Sequence, residues 1–141
     1  MEAPVILFVE DSEDDTFLFK WTFEKAGSDF RLHHAQNGAE AIEFLRHASQ
    51  HGALPRIVLL DLKMPILNGF EVLTWMQQQT FSVPVVVLSG SAQEKDKKMA
   101  LRLGALDYFV KPVSLSELQR ILSLVPSNST GKPWAEIGAC R

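Results

Sequence analysis

The sequence predicts an α/β fold, a five-stranded parallel sheet with helices on both faces, and two features indicate it. Short apolar runs alternate five times with longer segments whose apolar residues recur at helical spacing. The runs are continuous rather than alternating with polar residues, which is typical of parallel strands buried on both faces. Strict alternation of strand and helix then favours parallel strands joined by helical crossovers.

The ends of the elements follow from capping residues and glycines. The predicted strands are residues Val5–Val9, 30–35, Ile57–Leu60, 83–88 and 106–110. Four helices are predicted to begin where a polar residue precedes an acidic residue by three positions: Ser12 with Asp15, Asn37 with Glu40, Ser91 with Glu94 and Ser114 with Glu117. The third helix is predicted at about residues 69–79.

Aromatic residues in two of these helices predict core contacts. In the first helix, Phe17, Leu18 and Trp21 recur at about one-turn spacing, and Gly27 marks its end. We predict that Trp21 and Trp75 both pack against the core.

One folded domain accounts for most of the chain. The alternation ends near residue 125, so residues 1–125 are predicted to form the domain. Residues 126–141 are rich in Ser, Gly and Pro, and we expect a flexible tail in which Trp134 stands out as the only tryptophan.

Composition excludes several classes of protein. A net charge of −3, with no strong basic excess, argues against nucleic acid as the main partner. The longest apolar runs are too short to span a bilayer, so no membrane association is expected. The N-terminus lacks the features of a signal peptide, and Cys140, as the only cysteine, cannot form an intrachain disulfide. We therefore expect a cytoplasmic protein.

Polar residues follow four of the five predicted strands. Glu10 and Asp11 follow the first, Asp61 the third, Ser89 the fourth and Lys111 the fifth. In an open parallel sheet, ligands bind beyond the carboxyl ends of the strands, where the strand order reverses. These side chains are therefore expected in one crevice, although each alone is also explained by an ordinary turn or helix cap.

Three carboxylates at one edge would repel each other unless a cation neutralises them. Mg²⁺ suits such a site because it prefers oxygen ligands and retains several waters. Lys111 adds a fixed positive charge and Ser89 a hydroxyl, so the set is suited to stabilising a transferred phosphoryl group. Asp61 is the candidate nucleophile, since a carboxylate can form an acyl phosphate.

Five motifs in order resemble those of the receiver domain of bacterial two-component response regulators, over residues 5–125. They are Val9-Glu10-Asp11-Ser12, Leu60-Asp61-Leu62-Lys63-Met64-Pro65 with Asn68-Gly69, Val87-Leu88-Ser89-Gly90, Gly104-Ala105-Leu106-Asp107-Tyr108 and Val110-Lys111-Pro112. The resemblance implies a flavodoxin-like doubly wound fold with strand order 2-1-3-4-5.

The resemblance also implies residue roles. Asp61 would accept the phosphoryl group, and Lys111 would pair with its oxygens through a cis Lys111–Pro112 bond. Ser89 and Tyr108 would be the switch residues. The Mg²⁺ ligands that the resemblance implies are Asp11, with Glu10 in support, Asp61 and the backbone carbonyl of Lys63.

The implied partner is a sensor histidine kinase or a phosphotransfer protein. The Glu-Asp pair and the short chain look most like the small regulators that serve phytochrome-type kinases. Lys63 departs from many relatives, which carry a smaller or polar residue there. That departure leaves the phosphoryl lifetime open, and the sequence does not name the kinase or the downstream target.

Three other functions compete with this interpretation. A phosphohydrolase that forms an aspartyl phosphate generally needs a second Asp two residues after the nucleophile, where this chain has Lys63. A flavin-binding electron carrier needs a phosphate loop after the first strand, where this chain is acidic. A degenerate docking module does not explain the retention of Asp61, Asp11 and Lys111.

Since no output domain is recognised after the last helix, we expect signalling by protein contact. A weak homodimer is predicted through the fourth helix, fifth strand and fifth helix. Arg102, Asp107 and Arg120 are proposed for ion pairs on that face, and Leu106, Leu115 or Leu118 for apolar contact if they face outward. The alternative is a monomer that presents this face to a kinase or target.

Overall fold

A computed structural model describes residues 3–125 of the chain. Here five strands alternate with five helices, as predicted. The strands are β1 (Val5–Val9), β2 (Arg31–Ala35), β3 (Ile57–Leu60), β4 (Val85–Ser89) and β5 (Asp107–Val110). The helices are α1 (Glu13–Ala26), α2 (Gly38–Gln50), α3 (Gly69–Gln77), α4 (Glu94–Arg102) and α5 (Leu115–Ser123). The predicted tail, with Trp134 and Cys140, lies outside the described residues.

The sheet is parallel throughout, and its strand order is β2-β1-β3-β4-β5. This confirms the predicted flavodoxin-like, doubly wound topology. The chain leaves β1 toward β2 on one side and later returns to β3 on the other. The order therefore reverses at β1 and β3, and a crevice opens beyond their carboxyl ends.

Alternate residues of each strand fill two apolar layers. Leu7, Val9 and Val58 belong to the layer covered by α2, α3 and α4. Phe8 and Leu88 belong to the opposite layer, covered by α1 and α5. Because both faces of the sheet are covered, the central strands β3 and β4 are buried at every position.

Side-chain caps fix the starts of four helices. Ser12 and Asn37 accept hydrogen bonds from backbone N–H groups in the first turns of α1 and α2. Asn68 and Ser114 form full capping boxes with acidic residues of α3 and α5. These caps satisfy N–H groups that a helix start otherwise leaves without partners.

The prediction that Ser91 caps α4 was wrong. The N-cap is Gln93, whose side chain makes no capping bond. Ser91 lies two residues earlier, where its hydroxyl accepts the Gln93 N–H and donates to the Asp96 carboxylate. Spacing to Glu94 therefore misidentified the acidic residue that Ser91 contacts.

The prediction that Trp21 packs in the core was also wrong. Trp21 is 54% exposed and Phe17 is 70% exposed, while Thr16 and Phe19 form the buried face of α1. Phe19 stacks on Phe8 of the sheet, which fixes the helix rotation. Trp75, by contrast, packs against the core as predicted.

Other predicted bounds differ from the observed ones by one or two residues, as is usual at element ends. Strand β4 begins at Val85 rather than at residue 83, because Pro84 has no N–H to join the ladder. It also includes Ser89. Within residues 3–125, no helix has the length and apolar character needed to cross a membrane.

Candidate functional site

The carboxyl ends of the strands bring the predicted polar residues together. Glu10 follows β1, Asp61 follows β3, Ser89 is the last residue of β4, and Lys111 follows β5. A cavity of about 840 Å³ at this edge is lined by Glu10, Asp11, Asp61, Lys63 and Lys111 among others. The topology therefore brings the predicted charged residues into one crevice, whereas Ser89 is fully buried and is not among the residues that line it.

Three carboxylates converge in this crevice. Glu10, Asp11 and Asp61 each offer an oxygen, and these three oxygens lie within 4.8 Å of one another. Glu10 is 1% exposed and Asp61 is 4% exposed, whereas Asp11 faces solvent. Buried carboxylates at such close range form a negatively charged oxygen pocket with one open side.

Lys111 reaches into this pocket from β5 and contacts three carboxylates. Its Nζ lies 2.9 Å from Glu10 Oε1, 2.7 Å from Asp15 Oδ2 and 3.6 Å from Asp61 Oδ1. Asp15 was predicted to act only in capping α1, and its role as a partner of Lys111 was missed. Its side chain turns toward the crevice, and its backbone N–H alone contacts Ser12.

The pKa values of the buried groups reflect this crowding. Burial raises the pKa of Glu10 to about 7, and the nearby Asp61 charge adds to the rise. Burial also raises the pKa of Asp61, against the lowering effect of Lys111. Burial lowers the pKa of Lys111, but hydrogen bonds to Asp15 and Glu10 outweigh it and raise that pKa above its ordinary value. The Lys111 ammonium therefore pairs with several carboxylates, and negative charge is in excess in the crevice.

Asp61 has an incompletely satisfied side chain. Its Oδ1 is buried without a hydrogen-bond partner, the single such side-chain atom among residues 3–125. The neighbouring Glu10 side chain and Lys63 backbone N–H lower the pKa of Asp61, but they do not offset the effect of burial. A buried carboxylate oxygen without a partner is costly, so this atom is poised for a ligand.

Gly69, the first residue of α3, allows this helix to pack closely against the segment after Asp61. A Cβ at this position would collide with the carbonyl oxygen of Asp61 and crowd Leu62. The Gly69 N–H donates to the Leu62 carbonyl at 3.0 Å. Glycine therefore lets α3 begin directly against the segment that carries Asp61.

The two residues expected to switch are linked through Ser91. Ser89 is fully buried, and its Oγ accepts the Ser91 N–H at 3.1 Å. Tyr108 is 8% exposed, and its hydroxyl donates to the Ser91 carbonyl at 2.7 Å. The Lys111–Pro112 bond is cis, as predicted.

His34 is a contributor that sequence reasoning did not single out. Its Nε2 lies 2.8 Å from the carbonyl oxygen of Glu10, and its ring packs against Phe8. Since that carbonyl only accepts, Nε2 carries the proton and donates. His34 thus fixes the peptide between Glu10 and Asp11. Alternation along β2 places it on the α1 side, but nothing local indicates its partner.

Residues 6–123 match the response regulator receiver domain. The chain belongs to this family. A probable methanogenesis regulatory protein of Methanothrix harundinacea, FilR2, is 35% identical over 119 residues, which cover 82% of this chain and 77% of the relative. The receiver-domain match confirms the resemblance stated from the five sequence motifs.

Solved structures of response regulators resemble this receiver domain. The Mn²⁺-bound form of response regulator Rcp1 is 32% identical, with a TM-score of 0.70, and the match covers 84% of this chain and 88% of that one. The bacteriophytochrome response regulator AtBRR is 30% identical, with a TM-score of 0.77 and coverage of 91% and 96%. Such relatives support a signalling role rather than an enzymatic one.

Proposed function

We propose that this receiver domain is a phosphorylation switch that accepts a phosphoryl group on Asp61 in a Mg²⁺-dependent reaction. The observation that carries the proposal is the buried Asp61 Oδ1, which lacks a hydrogen-bond partner and faces Lys111 at 3.6 Å. A carboxylate oxygen left without a hydrogen bond beside an ammonium is available as a nucleophile. One positive charge suited to a phosphoryl oxygen, the Lys111 ammonium, already lies beside it.

The donor set fits a hard divalent cation. Three carboxylate oxygens lie within 4.8 Å of one another, and one carboxylate, that of Asp11, is open to solvent. Oxygen ligands with room for water match the coordination preferences of Mg²⁺. The proposed ligands are Asp11, Glu10 in a supporting role, Asp61 and the backbone carbonyl of Lys63. When bound, the ion would neutralise negative charge on the transferred group.

The chain's own residues would carry out the transfer as follows. An Asp61 carboxylate oxygen attacks phosphorus while the bond from phosphorus to the donor's histidine nitrogen breaks, and that bond's electron pair stays on the imidazole. Lys111 would then exchange part of its contact with the carboxylates for a phosphoryl oxygen. The Ser89 hydroxyl would donate to another, since its Oγ already accepts the Ser91 N–H and its own proton is free to turn.

The switch is proposed to run through Ser89 and Tyr108. In this structure Tyr108 is already buried, in the layer covered by α2, α3 and α4. We propose that a phosphoryl group stabilises this inward arrangement by fixing Ser89, and that Tyr108 turns outward when Ser89 is released. A single charge change would then bias two packings of one surface.

The proposed partner is a sensor histidine kinase, or a phosphotransfer protein that relays from one. Similarity to AtBRR, a bacteriophytochrome response regulator, supports a phytochrome-type kinase as the source. Similarity to the Mn²⁺-bound form of Rcp1 supports a divalent cation at the site.

A phosphorylation-dependent homodimer through α4, β5 and α5 remains part of the proposal. Leu106 is 54% exposed and Leu115 is 38% exposed, so both are available for apolar contact. Leu118 is fully buried, so it does not meet the condition of facing outward and is not proposed for this contact. Arg120 lies over the Phe109 ring at 5.3 Å, which holds its guanidinium along the same face.

Intact-mass measurement after incubation with Mg²⁺ and acetyl phosphate tests the proposal. Wild type should gain one phosphoryl group, and the gain should disappear with EDTA or in Asp61→Asn. A mass gain of equal size in Asp61→Asn would show that another residue accepts the phosphoryl group.

A further inference from the structure

Asp96 on α4 is a buried carboxylate to which none of the roles above assigns a function. It is 7% exposed and lies in the first turn of α4. The Ser91 hydroxyl donates to its Oδ2 at 2.6 Å. A hydrogen bond this short to an ionised carboxylate is among the stronger kinds in proteins. The N-terminal end of the helix dipole adds to the stabilisation of the charge.

Ser91 uses nearly all of its polar groups at once. Its N–H donates to the Ser89 hydroxyl, and its carbonyl accepts from the Tyr108 hydroxyl. Its own hydroxyl also accepts the Gln93 N–H at 3.2 Å. One residue therefore contacts both proposed switch side chains through its backbone, while its side chain is bound to α4.

We propose that Asp96 is a positioning residue for the switch: it latches Ser91, and the latched Ser91 holds Ser89 and Tyr108 in register. The inference rests on the proposed switch roles of Ser89 and Tyr108. Movement of Ser89 toward a phosphoryl group is then passed to Tyr108 and to α4 through one backbone unit. Without the latch, Ser91 can shift and each side chain moves independently.

Lys63 reaches the same carboxylate oxygen from the loop after Asp61. Its Nζ lies 3.8 Å from Asp96 Oδ2, and its side chain is 65% exposed. A pair with an exposed ammonium at this distance contributes little, about 0–1 kcal/mol. The hydrogen bond from Ser91, rather than this ion pair, is therefore expected to hold the latch.

The chain offers a direct probe because Tyr108 is its only tyrosine. Full-length protein labelled with 3-fluorotyrosine should give one fluorine NMR resonance, which reports the surroundings of Tyr108. In the unphosphorylated protein, Asp96→Ala and Ser91→Ala should shift this resonance toward that of the unfolded chain. Circular dichroism of each variant shows whether the helices are retained.

The matched control is Asp96→Asn, which keeps an oxygen that accepts from Ser91 but removes the charge. Its resonance should shift less than that of Asp96→Ala, because a weaker hydrogen bond from Ser91 remains, and the resonance of Lys63→Gln should stay at the wild-type position. A wild-type resonance in both Asp96→Ala and Ser91→Ala would overturn the latch. A shift in Asp96→Asn equal to that in Asp96→Ala would also overturn it, because charge rather than the hydrogen bond would then be responsible.

A second experiment distinguishes failure of this inference from failure of the proposed function. After treatment with Mg²⁺ and acetyl phosphate, Asp96→Ala should gain one phosphoryl group by intact mass, yet its Tyr108 resonance should no longer respond. A wild-type response in Asp96→Ala would contradict the latch. Absence of any mass gain in wild type would refute the phosphoacceptor proposal, while the comparison of unphosphorylated variants would still test the latch.

Discussion

The interior of the sheet and its carboxyl-terminal edge adjoin each other but follow opposite rules. Leu60, the last residue of β3, is fully buried among apolar side chains. Asp61, the next residue, is almost as buried but lies among carboxylates with one oxygen lacking a hydrogen bond. The interior gains stability from burial, whereas the edge gives some up to hold charges in place. A stable apolar sheet can therefore hold a cluster of buried charges at its edge that lowers stability.

The largest effect should come from removing interior packing. Leu60→Ala leaves a cavity in a fully buried layer, so we expect a loss of about 2–5 kcal/mol in unfolding free energy. Urea unfolding in EDTA measures it. Asp61→Asn is the neighbouring control, and it should equal or exceed wild-type stability because it removes a poorly satisfied buried charge. Equal losses in the two variants would abolish the contrast between interior and edge.

The buried carboxyl groups at the sheet edge should also make the stability of the protein depend on pH. Burial raises the pKa of Glu10 from 4.5 to about 7, so the native state binds this proton more tightly than the unfolded chain. The resulting stability is fully present below about pH 4.5 and is lost as the pH rises through 7. The raised pKa of Asp61 acts in the same direction.

We therefore expect the metal-free protein to lose on the order of 2–3 kcal/mol between pH 5 and pH 8, at about 1.4 kcal/mol per pKa unit. Urea unfolding in EDTA across this range measures the slope. The Glu10→Gln variant should flatten it. Stability that rises with pH in wild type would show that the edge charges are better satisfied than their burial indicates.

A smaller loss should follow from crowding the boundary between the two regions. In Gly69→Ala, the new Cβ meets the Asp61 carbonyl, so we expect a loss of about 1–3 kcal/mol by overpacking. Gly90→Ala is the control, because a Cβ there meets nothing within 4 Å. Thermal unfolding of the two variants compares them. An unfolding temperature of Gly69→Ala equal to that of wild type would mean that the loop after Asp61 can move to accommodate the added Cβ.

The sequence predicts this architecture and site well where short spacing or topology decides the outcome. Strand ends located Glu10, Asp61 and Lys111, because parallel topology brings those ends to one edge. The sequence predicts side-chain contacts less well where the two partners are far apart in the chain. The contact between Lys111 and Asp15 joins residues separated by 96 positions, and nothing local to Asp15 indicates it.

Helix rotation was a second limit. Trp21 was predicted to be buried from its apolar character and spacing, but the stacking of Phe19 on Phe8 decides which face of α1 meets the sheet. The prediction for Ser91 failed because its hydroxyl donates to the Asp96 side chain instead of accepting a backbone N–H from the first turn of α4. For Trp21 a tertiary contact outweighs the local pattern, whereas for Ser91 a different side chain five residues along is the partner.

Neutralisation of the buried charges at the sheet edge by a divalent cation is what we propose above all. Its most direct test is the unfolding free energy at pH 8 in EDTA and in saturating Mg²⁺, for wild type and Asp11→Ala. We predict that Mg²⁺ at about 100 times its Kd stabilises wild type by roughly 2.7 kcal/mol and that Asp11→Ala loses most of this gain. Equal stability of wild type in EDTA and in Mg²⁺ would contradict the account.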